Sequence, residues 1–170
     1  MKRLWLPLVL FVAALLLNVG ELAYYYPQLP MRVASHFNAG GQADGWTTKS
    51  EFAWMWLAVL GMLSFMFGMT IVIMSVAPVS SFNLPNKDYW IAPERADETR
   101  RMMIERMLWF MGGLMLFIAY LLHGAIAFNL KPGGQLSIWM PLGVFLAFTA
   151  VWCAEMFWRF GRIPRGAEGV

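Results

Sequence analysis

Four stretches of this chain are apolar for long enough to cross a lipid bilayer, and little else about the fold is independent of them. They run from about Leu4 to Tyr25, Phe52 to Val76, Met107 to Phe128 and Leu136 to Trp158. A helix needs ~20 residues to cross a hydrocarbon core of ~30 Å. None of the four alternates apolar and polar residues as a membrane β-strand does. A helix also pairs its backbone polar groups within itself, as lipid requires. The expectation is an all-α integral membrane bundle of four transmembrane helices with a folded extracytoplasmic loop. It forms one membrane domain over residues 1–170, with helices at about 4–25, 52–76, 107–128 and 136–158, an outer loop at 26–51 and a cytoplasmic segment at 77–106.

Composition supports this reading. Hydrophobic residues make up 59% of the chain and charged residues only 14%, against ~25% in an ordinary soluble domain. A soluble globule of this size lacks the interior to bury so much apolar side chain. The 14 methionines are not grouped with histidine and read as flexible packing. The one cysteine, Cys153, excludes an intrachain disulfide and a cysteine-built zinc site.

The net charge of +3 does not point to nucleic acid, because the basic residues gather beside the spans. With the N-terminus inside, Lys2, Arg3, Lys87, Arg95, Arg100, Arg101, Arg106, Arg159, Arg162 and Arg165 are cytoplasmic. Only Arg32, Lys49 and Lys131 are outside. This asymmetry predicts a multi-pass protein with both termini in the cytoplasm. Lys2 and Arg3 before an apolar run resemble a signal peptide, but no small-x-small cleavage site follows, so the first stretch is expected to stay as a helix.

The segments between spans differ in character. Lys131-Pro132-Gly133-Gly134 predicts a tight outside turn within Asn129–Gln135. In the cytoplasmic segment a helix is expected to start near Pro93, which suits a first turn, and to run on into the third span. Asp97 with Arg101 and Arg101 with Glu105 have the i,i+4 spacing of helical ion pairs. This helix is either a solvated extension or a docking face for a protein partner or anionic lipid. In the last span, Glu155 and Arg159 are spaced for a salt bridge.

The outer loop is the most distinctive stretch. Pro27 and Pro30 stiffen its start, and Gly40, Gly41 and Gly45 permit tight reversals. It reads as a folded cap on the bundle. His36 suits a metal ligand, a proton acceptor or a loop-shaping hydrogen bond, and Asn38 and Asp44 are available to complete a polar cluster. One His and one Asp are weak evidence for zinc, so whether a metal binds is left open. Trp46 is placed to enter the membrane surface. Ionisable groups within spans are costly and therefore informative. Glu21 in the first span and His123 in the third fall at similar depth beneath the loop, and together they suggest a polar pocket there. Phosphate-loop, His-Glu-x-x-His and Gly-x-Ser-x-Gly motifs are missing from the sequence.

Tyr26-Pro27-x-Leu29-Pro30, His36-Phe37-Asn38, Gly41, Asp44-Gly45-Trp46 and Lys49, with Asn86-Lys87-Asp88-Tyr89-Trp90 and Ala92-Pro93-Glu94-Arg95, resemble the pattern of a bacterial family, the domain of unknown function 1648. That domain is the N-terminal part of SdpI-type membrane immunity and signalling proteins, and the resemblance covers roughly residues 5–110. It implies a bacterial inner-membrane location and a loop whose His36, Asn38, Gly41, Asp44, Gly45, Trp46 and Lys49 shape it or its ligand site. It supplies no catalytic residue and no cofactor. Immunity members carry further membrane helices after the domain, which are not matched here.

The leading functional expectation is a non-enzymatic sensor, immunity-like or accessory protein. Its ligand, a peptide, lipid or small molecule, would meet His36, Asn38, Asp44, Trp46, Lys49, Glu21 and His123. The alternatives are a membrane enzyme or small transporter using a Glu21/His36/His123 pocket, and a structural subunit of a complex or homo-oligomer. In the last case Gly61–Gly68 or Gly112-Gly113 would be helix contacts.

Overall fold

A computed structural model describes residues 4–131 and 136–163. Its elements are α1 (Trp5–Tyr25), the hairpin strands β1 (Arg32–Phe37) and β2 (Ala43–Thr48), α2 (Lys49–Val76), the short α3 (Lys87–Trp90), α4 (Ala96–Leu130) and α5 (Trp139–Phe160). Four of the helices are long and apolar enough to cross a membrane. The protein is a multi-pass helical membrane bundle with one small two-stranded sheet.

α4 is the spine. It packs most extensively on α1 and also carries α2 and α5. Two adjacent glycines make this possible. A Cβ on Gly112 would lie 2.8 Å from the Leu10 side chain of α1, and one on Gly113 would lie 2.6 Å from the Phe148 ring of α5. Missing side chains there let both neighbours approach the α4 backbone closely. The Gly112-Gly113 surface is therefore an intramolecular helix contact, whereas Gly61 and Gly68 of α2 face open space. Apart from these seams, α2 and α5 present apolar residues outward, including Trp54, Phe65, Met140 and Phe157. Such surface is stable only when lipid covers it.

Three apolar clusters stack along the bundle. Near the hairpin, Leu22, Leu29, Val33, Phe52, Leu122 and Ile126 join α1, β1, α2 and α4. In the middle, Ala14, Leu60 and Met115 meet. At the far end, Leu84, Trp90, Met102 and Phe160 close the bundle. Between the first two clusters Asn18 is fully buried, and its amide donates to the carbonyls of Ala14 (2.8 Å) and Met115 (3.1 Å). This link between α1 and α4 pairs the amide's donors in apolar surroundings, where unpaired polar groups are costly, while its oxygen has no hydrogen-bond partner among the described residues.

The helix limits differ from the sequence expectation for local reasons. α2 starts at Lys49 rather than Phe52, because Thr48 and Glu51 form a capping box: the Thr48 hydroxyl accepts the Glu51 N–H (3.2 Å) and the Glu51 carboxylate accepts the Thr48 N–H (3.0 Å). Its first turn is polar, so apolarity alone does not reveal it. α4 runs unbroken for 35 residues, about 52 Å at 1.5 Å per residue; it starts at Ala96 rather than near Pro93 and runs on into the third span as expected. It also continues through Leu130, which puts Asn129 inside the helix rather than in a turn. The rest of that expected turn, residues 132–135, lies outside the described residues, as does the tail from 164.

The segment between α2 and α4 ties helix ends together. The Arg100 guanidinium donates to the carbonyls of Met74 (2.5 Å) and Ala77 (2.8 Å) at the end of α2. The Trp90 indole (2.9 Å) and the Asn86 amide (3.2 Å) donate to the carbonyl of Phe160 at the end of α5. Terminal carbonyls have no partner within their own helix, so these contacts satisfy them. Glu155 does accept from Arg159 (2.8 Å), and it also pairs with Arg106 of α4 (2.9 Å). The Asp97–Arg101 and Arg101–Glu105 pairs expected from spacing are not closed among the described residues, and Glu105 lies 4.0 Å from Arg106 instead. Solvated i,i+4 partners gain too little to hold long side chains in one place.

Candidate functional site

Two histidine–carboxylate pairs stand at the hairpin end of the bundle. The hairpin carries the first. Its strands are antiparallel, with Ala34 opposite Trp46, His36 opposite Gly45 and Phe37 opposite Ala43. The register is irregular on both sides of His36, and such bulges re-aim side chains. A Cβ on Gly45 would lie 2.7 Å from the His36 Cβ, so the glycine makes room for the histidine across the strand. His36 Nδ1 lies 2.5 Å from Asp44 Oδ1 with both side chains exposed, at 73% and 45%.

The other hairpin residues are mostly occupied in shaping it. The Asn38 side-chain oxygen accepts the N–H groups of Gly40 (2.9 Å) and Gln42 (3.1 Å), which folds the turn. Gly41 adopts φ +75° and approaches the chain before α5, where Leu136 N–H donates to the Gly41 carbonyl (3.0 Å). The Trp139 indole donates to the Ala39 carbonyl (3.0 Å). Lys49 stands over the Tyr26 ring, 5.1 Å from its centroid. Trp46 is half-exposed and remains available to a partner.

The hairpin is locked to α4 by a residue that sequence reasoning missed. Asn129 is 5% exposed. Its side-chain oxygen accepts the Ala34 N–H (2.7 Å), and its amide donates to the carbonyls of Ala34 (2.9 Å) and Ala125 (2.9 Å). The side chain thus stands in for a neighbouring strand on the bulged edge of β1. An asparagine at the end of an apolar span is a signal in principle, but turn chemistry right after it points to a loop instead.

The second pair lies between helices. Glu21 Oε1 of α1 is 2.5 Å from His123 Nδ1 of α4. Glu21 is 11% exposed and His123 is 61% exposed. Each adjoins a residue of the hairpin-side cluster, Leu22 and Leu122. The pair lines a groove of about 680 Å³ between α1 and α4, with Leu16, Leu17, Gly20, Tyr24, Tyr25, Leu116, Ala119 and Tyr120. The sequence-predicted residues therefore fall in two places. Glu21 and His123 meet in the groove; His36, Asn38, Asp44, Trp46 and Lys49 belong to the hairpin or its junction with α2 and do not line it. Among the described residues, no group of three or more His, Cys, Asp or Glu side chains is arranged to hold a metal ion.

Residues 6–61 match the family model described as "Domain of unknown function (DUF1648)". The matched stretch takes in α1 from Leu6 onward, the whole hairpin and the first part of α2. It contains Glu21, His36 and Asp44, whereas His123 and Asn129, which complete the interhelical pair and the hairpin lock, come from α4 beyond it. No curated protein and no solved structure matches the chain.

Proposed function

We propose that this protein is a non-enzymatic recognition protein of a bacterial inner membrane, of the sensor, immunity-like or accessory kind implied by resemblance to SdpI-type proteins. Both termini would be cytoplasmic and the hairpin outside, as the distribution of lysine and arginine supports. The observation that carries the reading is the Glu21–His123 pair at the head of an apolar groove, close beneath a rigidly held hairpin. An ionisable pair within a span is expensive to maintain and marks function by default. An apolar cleft with a few convergent polar groups is the usual form of a small-ligand site. Of the arginines in the 77–106 segment, Arg95, Arg100 and Arg106 are engaged within the chain, which supports a clasp there over a docking face.

The test is thermal unfolding of the detergent-solubilised protein with short-chain lipids of several headgroups as probes. The reading expects at least one to raise the midpoint, and Leu116→Trp, which fills the groove, to remove that shift. No shift with any probe, or a shift unaffected by Leu116→Trp, would contradict it.

A further inference from the structure

The groove does not end at its own walls. A second cavity, about 550 Å³, opens between α4 and α5 with Leu10 of α1 on its wall, and shares Leu116 and Tyr120 with the first. It is lined by Leu10, Trp109, Gly113 and Phe145 among others. The two lie side by side with Leu116 and Tyr120 as shared walls, and together we call them the trough. Along α4 it reaches from His123 to Trp109, fourteen residues or about 21 Å of helix. That exceeds half of a hydrocarbon core of ~30 Å. The walls are apolar along this length, and charge is confined to the Glu21–His123 end. A long apolar trough with a charged head at one end has the shape and polarity of a membrane lipid, which is also the solvent at that depth.

The head is selective in its chemistry. Glu21 Oε1 is taken by His123, and Oε2 has no hydrogen-bond partner among the described residues. Whichever proton state His123 holds, that second oxygen remains an acceptor. The rings of Tyr24, Tyr25 and Tyr120 line the groove beside it. A free carboxylate oxygen in a groove that tyrosines also line favours a cation, and a cation with N–H groups forms a charge-assisted hydrogen bond. A quaternary ammonium has no such hydrogen to give, and an anionic head meets a carboxylate.

Resting on the recognition reading above, we propose that the trough binds a lipid with a primary-ammonium head, of the phosphatidylethanolamine class, with the ammonium on Glu21 and an acyl chain past Leu116 and Tyr120. The test uses the full chain in bilayers of equal parts phosphatidylethanolamine, phosphatidylcholine and phosphatidylglycerol with matched chains. After mild detergent extraction, retained lipid is counted by native mass spectrometry. The wild type is expected to keep the ethanolamine lipid over the glycerol lipid by about tenfold, the scale of one hydrogen bond to a charged group. Glu21→Gln is expected to bring that ratio close to one, and Leu116→Trp to lower retention of all three. Wild-type retention in the bilayer's own proportions overturns the proposal, even if Glu21→Gln does not fold, and so does a preference that survives Glu21→Gln. Retention without headgroup preference that Leu116→Trp still abolishes overturns this proposal alone. Retention unaffected by Leu116→Trp overturns the recognition reading with it.

Discussion

The two histidine–carboxylate pairs have the same heavy-atom distance, 2.5 Å, and different surroundings. His36–Asp44 joins neighbouring strands of one hairpin, eight residues apart, and both side chains are open to water. His123–Glu21 joins two helices across 102 residues of sequence, with the carboxylate 89% covered. Water and salt screen the first pair. The second sits where the dielectric is low, and its polar atoms have few other partners. The comparison teaches that a short contact is not by itself a site. The hairpin pair decorates a structure that Asn38, Gly41 and Asn129 already hold, whereas the helix pair places a charge where a fold would otherwise exclude it.

Several substitutions would break or sharpen this contrast. The largest effect is expected from Asn129→Ala, which strands the buried N–H and C=O of Ala34. We expect a loss of about 3 kcal/mol, since each buried polar group left unpaired costs ~1–3 kcal/mol, with faster hydrogen exchange over residues 32–48. Unchanged exchange there would mean the hairpin does not depend on α4. Next is Gly41→Ala, where a Cβ would lie 2.3 Å from the Leu136 carbonyl oxygen at φ +75°. A drop of about 2 kcal/mol in detergent unfolding is expected, more than the ~1 kcal/mol of a simple left-handed alanine. Glu21→Gln is expected to cost about 1.5 kcal/mol, the lower range for a charge-assisted hydrogen bond. A neutral result would put the helix pair on the same footing as the hairpin pair. Asp44→Asn should be smallest, below ~1 kcal/mol as for exposed ion pairs, and raising the salt concentration should shrink it further.

Much of the architecture was legible because lipid makes its demands locally. Any span must be long, apolar and helical, so the four spans could be read one at a time. The capping role of Thr48 and Glu51 was equally local, but their polarity hid them from a search for apolar runs. The meeting of Glu21 and His123 was legible as depth and not as facing, because helix rise sets depth while the rotation of each helix depends on packing such as Leu10 against Gly112. The folded nature of the outer loop was visible in its prolines and glycines, but not its strands. An isolated two-stranded sheet is marginal, and this one exists through the Asn129 contacts, whose partners are 95 residues apart. The clasp made by Arg100, Asn86 and Trp90 was illegible for the same reason, since each side chain serves a helix end far away in the sequence.

The central claim is that recognition occurs at the helix pair rather than at the hairpin pair. The chain has two histidines, one in each pair, so ring 15N NMR of histidine-labelled protein in nanodiscs reads both at once. Bilayers of phosphatidylcholine would be titrated with short-chain phosphatidylethanolamine as the probe. The account predicts a saturable shift of the His123 ring signals, with those of His36 little changed. A shift at His36 alone, or no saturable shift at either ring, would contradict it.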